Sequence, residues 1–111
     1  MQNFINQLPE EFHVEGNPIL GDWSILDISD IESLPKIQGI YFVISDNDEI
    51  LYVGRTTNIH ERWRTGHHKT VKFFKYVSPN IMYICLPDAS RKQISFLESY
   101  YIRKHSPLEQ G

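Results

Sequence analysis

Residues 39–62 read Gly-Ile-Tyr-Phe-Val-Ile-Ser-Asp-Asn-Asp-Glu-Ile-Leu-Tyr-Val-Gly-Arg-Thr-Thr-Asn-Ile-His-Glu-Arg, and the fold turns on how this stretch is parsed. Two β-type runs, Gly39–Ile44 and Ile50–Gly54, flank Ser-Asp-Asn-Asp-Glu, whose short polar side chains favour turns over ladder pairing. The pattern predicts a hairpin with one tyrosine on each strand, Tyr41 and Tyr52. Beyond Gly54 and Arg55, the oxygens of Thr56, Thr57 and Asn58 can cap a helix over Ile59–Thr65 that Gly66 stops. Ile59 and Trp63, four residues apart, form its sheet-facing side, while His60, Arg64 and His67 share a neighbouring side.

Downstream, the segment from His67 to Tyr76 is basic with aromatics at intervals. It reads as a second short helix with Val71 and Phe74 inward, broken by Pro79-Asn80. Ile81–Leu86 carries no charge and reads as a third, central strand. The strongest helix follows: Asp88 or Ser90 can cap it, and it runs to about Lys104 before Ser106-Pro107 ends it. Ile94, Leu97, Glu98, Tyr101 and Ile102 fall on one stripe. Glu98 is thus a carboxylate among core-facing residues, and burying it unpaired would be expensive. Two readings stay open for it: a boundary glutamate reaching water or paired with an arginine across the sheet, or a functional acid.

Upstream, Phe4, Ile5 and Leu8 suggest a short helix limited by Pro9, and Gly16, Pro18 and Gly21 mark a loop. Trp23, Ile25, Leu26, Ile28, Ile31 and Leu34 are too apolar for a disordered tail, and Ser29–Glu32 offers one helical turn. The expected organisation is an acidic extension over residues 1–36, packed on one domain spanning 37–111.

The chain of 111 residues is one domain's worth, with a single cysteine, Cys85, that reads as a small strand hydrophobe. No apolar run approaches a membrane span, and the first residues lack a signal-peptide pattern, so the expected compartment is the cytoplasm. The net charge of −3 argues against a polyanion binder until the chain is divided. Residues 1–50 carry −9 and residues 51–111 carry +6, with no acid between Arg62 and Pro87. That asymmetry suits a basic face for phosphates, with Arg55, Arg64, His68, Lys69 and Lys72 as its contacts.

Cleaving a phosphodiester requires positive charge at the phosphoryl oxygens, a deprotonated water and help for the leaving oxygen. Glu98 is a hard oxygen ligand for Mg²⁺ or Mn²⁺, and Arg62 offers a planar fork that matches phosphate. A tyrosine hydroxyl, with an ordinary pKa of about 10, becomes a useful base only if cations such as Arg55 and Arg62 lower it.

The two triplets, Gly39-Ile-Tyr and Tyr52-Val-Gly, about ten residues apart and followed by a helical arginine, resemble the GIY-YIG nuclease family, with Val53 for the isoleucine. The resemblance covers about residues 35–110. It implies an α/β (α+β) fold, a three-stranded antiparallel sheet flanked by helices. It also implies a metal-dependent endonuclease acting on DNA, with RNA left open. Tyr41, Tyr52, Arg62 and Glu98 would line one cleft with a single divalent ion on Glu98. Arg55 takes a position where relatives often carry a base, and His67 lies near where some place a histidine. After Pro107 the family's asparagine is replaced by Glu109 and Gln110, of which Gln110 keeps an amide. That departure and the acidic extension motivate the rival reading, a nucleic-acid-binding module without cleavage. A monomer or weak dimer is expected.

Overall fold

The structure, a computed structural model, describes residues 13–14, 17–18, 24–47, 49–64 and 79–110. Two short strands, β1 (His13–Val14) and β2 (Asn17–Pro18), pair with each other. The main sheet contains β3 (Ser24–Asp27), β4 (Gly39–Ile44), β5 (Ile50–Thr56) and β6 (Asn80–Cys85). Its order is β3-β6-β4-β5 and every neighbouring pair is antiparallel. The sheet therefore has four strands rather than the three expected. The additional one comes from the segment before residue 37, read beforehand only as apolar packing.

β4 sits in the middle and is buried along its whole length. Ile40, Phe42 and Ile44 face one core, which α2 (Arg91–His105) closes with Ile94, Leu97 and Tyr101. Each such fully buried aliphatic side chain contributes about 1.5–3 kcal/mol. Tyr41 and Val43 face a second core, closed by α1 (Ile59–Arg64) through Ile59 and Trp63 and by Leu34, just past a 3₁₀ helix over Ile28–Ser33. The expected sheet-facing side of α1 is the observed one. Asn58 Oδ1 caps this helix by accepting from the Glu61 amide at 2.9 Å.

β4 and β5 pair with Tyr41 opposite Gly54 and Val43 opposite Tyr52, and then the register shifts so that Ile44 pairs with Ile50. Leu51 is the extra residue of a β-bulge. It lets Ile50 and Val53 face the α2 core while Leu51 and Tyr52 belong to the α1 side. The connecting turn is organised by buried Ser45, whose Oγ accepts from the amides of Asn47 (3.2 Å) and Glu49 (3.1 Å).

α2 starts in a full capping box, Ser90 with Gln93, and ends at Ser106 in the left-handed conformation. The helix expected beyond Gly66, with Val71 and Phe74, lies outside the described residues. Among the described residues no helix is long and apolar enough to cross a membrane.

Candidate active site

The site begins with a ring laid over a glycine. Tyr41 points from β4 across β5 at Gly54, and a Cβ at Gly54 would run into the Tyr41 ring carbon Cζ and hydroxyl. Gly54 is therefore required by the close approach of the tyrosine opposite it. Trp63 of α1 meets the same ring edge-on, with centroids 5.4 Å apart. Tyr52 stacks beside it at 6.2 Å with 29° between planes. Tyr41 is 1% exposed, whereas Tyr52 is only half-buried. Of the two phenols, only Tyr52 reaches solvent.

Arg62 and Glu98 complete the group. The Arg62 guanidinium hydrogen-bonds the Tyr41 hydroxyl, and its charge acts on both phenols; the Glu98 carboxylate acts on both in the opposite sense. Strand, first helix and last helix thus bring the four expected residues together. Arg62 does pull both phenols down, but not far enough to meet the condition for a useful phenol base. Burial, the largest influence on each, outweighs Arg62, and both tyrosines titrate above their ordinary value.

Arg55, at the end of β5, donates from Nε to Glu98 Oε1 at 3.0 Å. The arginine partner foreseen as one reading of Glu98 is present, and the same carboxylate acts on both phenols. The Glu98 side chain is 25% exposed, and only one of its oxygens is engaged among the described residues. Among those residues no three His, Cys, Asp or Glu side chains gather into a closed metal cage. A lone, solvent-reaching carboxylate suits Mg²⁺ or Mn²⁺, which keep several waters and take phosphate oxygens as further ligands. The donor set fits such an ion.

The other expected contacts divide. Arg64 is bound along its own helix by Glu61, with Nε–Oε2 at 3.0 Å and Nη2–Oε1 at 2.6 Å, so much of its charge is already answered. His60, on the same side, is buried with Nε2 4.0 Å from Glu32. His67, His68, Lys69 and Lys72 lie outside the described residues.

Gln110 does something that the sequence did not announce. Its side chain accepts from the Val53 amide at 2.8 Å and donates to the Val53 carbonyl at 2.9 Å. The Leu108 and Glu109 amides bond the Ile50 and Leu51 carbonyls at 3.2 and 2.7 Å. The tail therefore covers the outer edge of β5, and the Gln110 amide is spent on the backbone rather than held out towards a substrate. Gln110→Ala is expected to lower stability by about 1–2 kcal/mol, two exchanged hydrogen bonds at ~1 kcal/mol each with partial replacement by water. Thermal melts together with faster amide exchange at Val53 would register it. An unchanged Val53 exchange rate would mean that the clamp does not hold in solution.

The GIY-YIG catalytic domain family matches residues 37–110 of the chain. No curated protein sequence matches it significantly. Among solved structures it is similar to the GIY-YIG N-terminal endonuclease domain of UvrC from Thermotoga maritima. A tyrosine-to-phenylalanine mutant of that domain, bound to its catalytic divalent cation, gives a TM-score of 0.62 at 17% identity, covering 75% of this chain and 92% of that one. An asparagine-to-alanine mutant gives the same values. The magnesium-bound domain gives 0.58 at 19% identity, covering 75% and 93%. At such identities the structural likeness speaks for the fold, while the family match rests on most of the chain and includes both tyrosine triplets, the helical arginine and the glutamate. This chain belongs to the GIY-YIG family.

Proposed function

We propose that the protein is a divalent-metal-dependent endonuclease that hydrolyses phosphodiester bonds of DNA. The observation that carries the reading is the convergence of Arg62 and Glu98 on the one phenol that reaches solvent, Tyr52. Glu98 would hold Mg²⁺ or Mn²⁺, and the bound ion supplies Lewis-acid polarisation of a phosphoryl oxygen.

The chain's own residues divide the remaining work. Arg62 presents its fork to the non-bridging oxygens and stabilises the charge that gathers there as attack proceeds. Tyr52 orients the attacking water, and the fraction of it present as phenolate takes the water's proton as the new P–O bond forms, while the leaving oxygen departs with its electron pair. Tyr41, buried and bonded to Arg62, is a positioning residue that fixes the guanidinium. Arg55 steadies Glu98 and, with His67, assists at the phosphate. The protein acts as a monomer or weak dimer in the cytoplasm.

Because Tyr52 starts above its ordinary value, it is neutral near pH 7, and the reactive phenolate fraction grows with pH. Cleavage is expected to rise up to tenfold per pH unit above neutrality, and Tyr52→Phe to be slower and flat. A pH–rate profile at saturating Mn²⁺ tests this, and a parallel slope in Tyr52→Phe removes the phenol as base. The broader reading is tested by incubating purified protein with plasmid DNA and Mn²⁺, where nicked or linear product is expected. The commitment of Gln110 to β5 favours a second reading, a binding module without cleavage. Salt-sensitive DNA binding with no product over a metal series would select it.

A further inference from the structure

A pocket of about 60 Å³ lies between the end of β5 and the first turn of α2, lined by Gln38, Arg55, Thr56, Thr57, Arg91 and Ile94. It has room for several waters, and so for a tetrahedral oxyanion. Two of its walls are already committed. Both Gln38 amide hydrogens are spent on the Leu86 and Ala89 carbonyls, each at 2.9 Å. The Thr56 hydroxyl is occupied with Asn58. What remains for a ligand is positive charge and donors: the exposed Arg91 guanidinium, the Thr57 hydroxyl and the part of Arg55 not given to Glu98. Among the described residues no carboxylate lines the pocket.

The placement of Arg91 is independent support. The first turn of α2 contains no acid, and its first two residues are Arg91 and Lys92. A helix N-terminus favours anions, so two cations there oppose the helix dipole. Helix stability does not explain them, and an anion seated between Arg91 and the helix end would. Arg55 also joins this pocket to the cleft, since the same side chain lines one and bonds Glu98 in the other.

We propose that this pocket binds a backbone phosphate of DNA next to the scissile one on the same strand, with Arg91 as its main ligand and Thr57 as a second donor. The assignment rests on the nuclease reading. Arg91 lies outside the reacting group, so its loss weakens substrate binding and leaves the chemical step alone.

The test uses the full chain and a fluorescently labelled duplex. Arg91→Ala is expected to raise Kd on the order of fivefold at low salt and to make the slope of log K against log salt shallower by about 0.9, one phosphate contact. KM should rise with kcat unchanged, and Thr57→Val should show a smaller effect in the same direction. A methylphosphonate placed at the linkage beside the cleaved one should abolish the difference between wild type and Arg91→Ala. If that difference survives the neutral linkage but vanishes on removing a terminal phosphate, the pocket takes chain ends and the proposal is overturned. Equal Kd and slope in a wild type and variant that both cleave would also overturn it. A wild type that neither binds nor cuts DNA would instead remove the nuclease reading, and this subsite with it.

Discussion

Glu98→Gln is expected to lower single-turnover cleavage on the order of 10³-fold, about 4 kcal/mol of transition-state stabilisation, while folding stability falls by less than about 1 kcal/mol. The two numbers come from different surroundings. On the stability side, Glu98 is paired to Arg55, which is 45% exposed, so water can replace the lost carboxylate charge. Towards the reaction, the same carboxylate is, among the described residues, the hard anion that acts on Tyr52 together with Arg62. The glutamine keeps its shape and loses the charge that would hold a cation. A quench-flow assay with Mn²⁺ beside a thermal melt measures both quantities. Activity within tenfold of wild type would take the metal role from Glu98. Retained DNA binding with no cleavage is the outcome expected if the acid serves chemistry.

Gly54→Ala carries the second large effect, a loss of about 3 kcal/mol, the upper part of the range for a methyl forced into a packed interior. The added Cβ meets Tyr41 at Cζ and the hydroxyl. Tyr41 is walled by Trp63 and Tyr52 and cannot swing aside. Set against a total stability of roughly 5–15 kcal/mol for a domain, that loss is severe, and Arg62 would lose its phenol partner with it. A double-mutant cycle with Tyr41→Leu isolates the collision, because the shorter side chain should relieve much of the penalty. Additive losses in that cycle would mean that the ring is not what the glycine accommodates.

The hairpin, both helices and β6 were legible because their signals are local: alternation, turn-forming polar residues, caps and a helical stripe. β5 runs two residues further than expected, to Thr56, because Gly39 and Ile40 still offer it ladder partners. The fourth strand was not legible. Ser24–Asp27 has an exposed first half and no inside–outside alternation, and it is held as a strand by the ladder groups of β6. At the site, residue types and order were readable, but their burial was not. Nothing in the sequence tells which tyrosine Trp63 covers, or that Arg55 and Glu98, 43 residues apart, form an ion pair. Gln110 illustrates the limit well, since an amide reads alike whether it faces a ligand or a strand edge. The one overlooked local signal was Arg91-Lys92 at a helix start, where dipole considerations call for acids.

Leu51 gives the hairpin an odd step, and this has a bearing on how the motif can diverge. In a strictly alternating strand Ile50 and Tyr52 would share a side; with Leu51 as the extra residue they face opposite cores, and a strand lacking it would leave them adjacent and still opposed. The odd step is taken up at Leu51 itself, so that Tyr52 to Thr56 keep a regular pairing with Val43 to Gly39. A change in length that the bulge absorbs therefore leaves both tyrosines on the α1 side of the sheet.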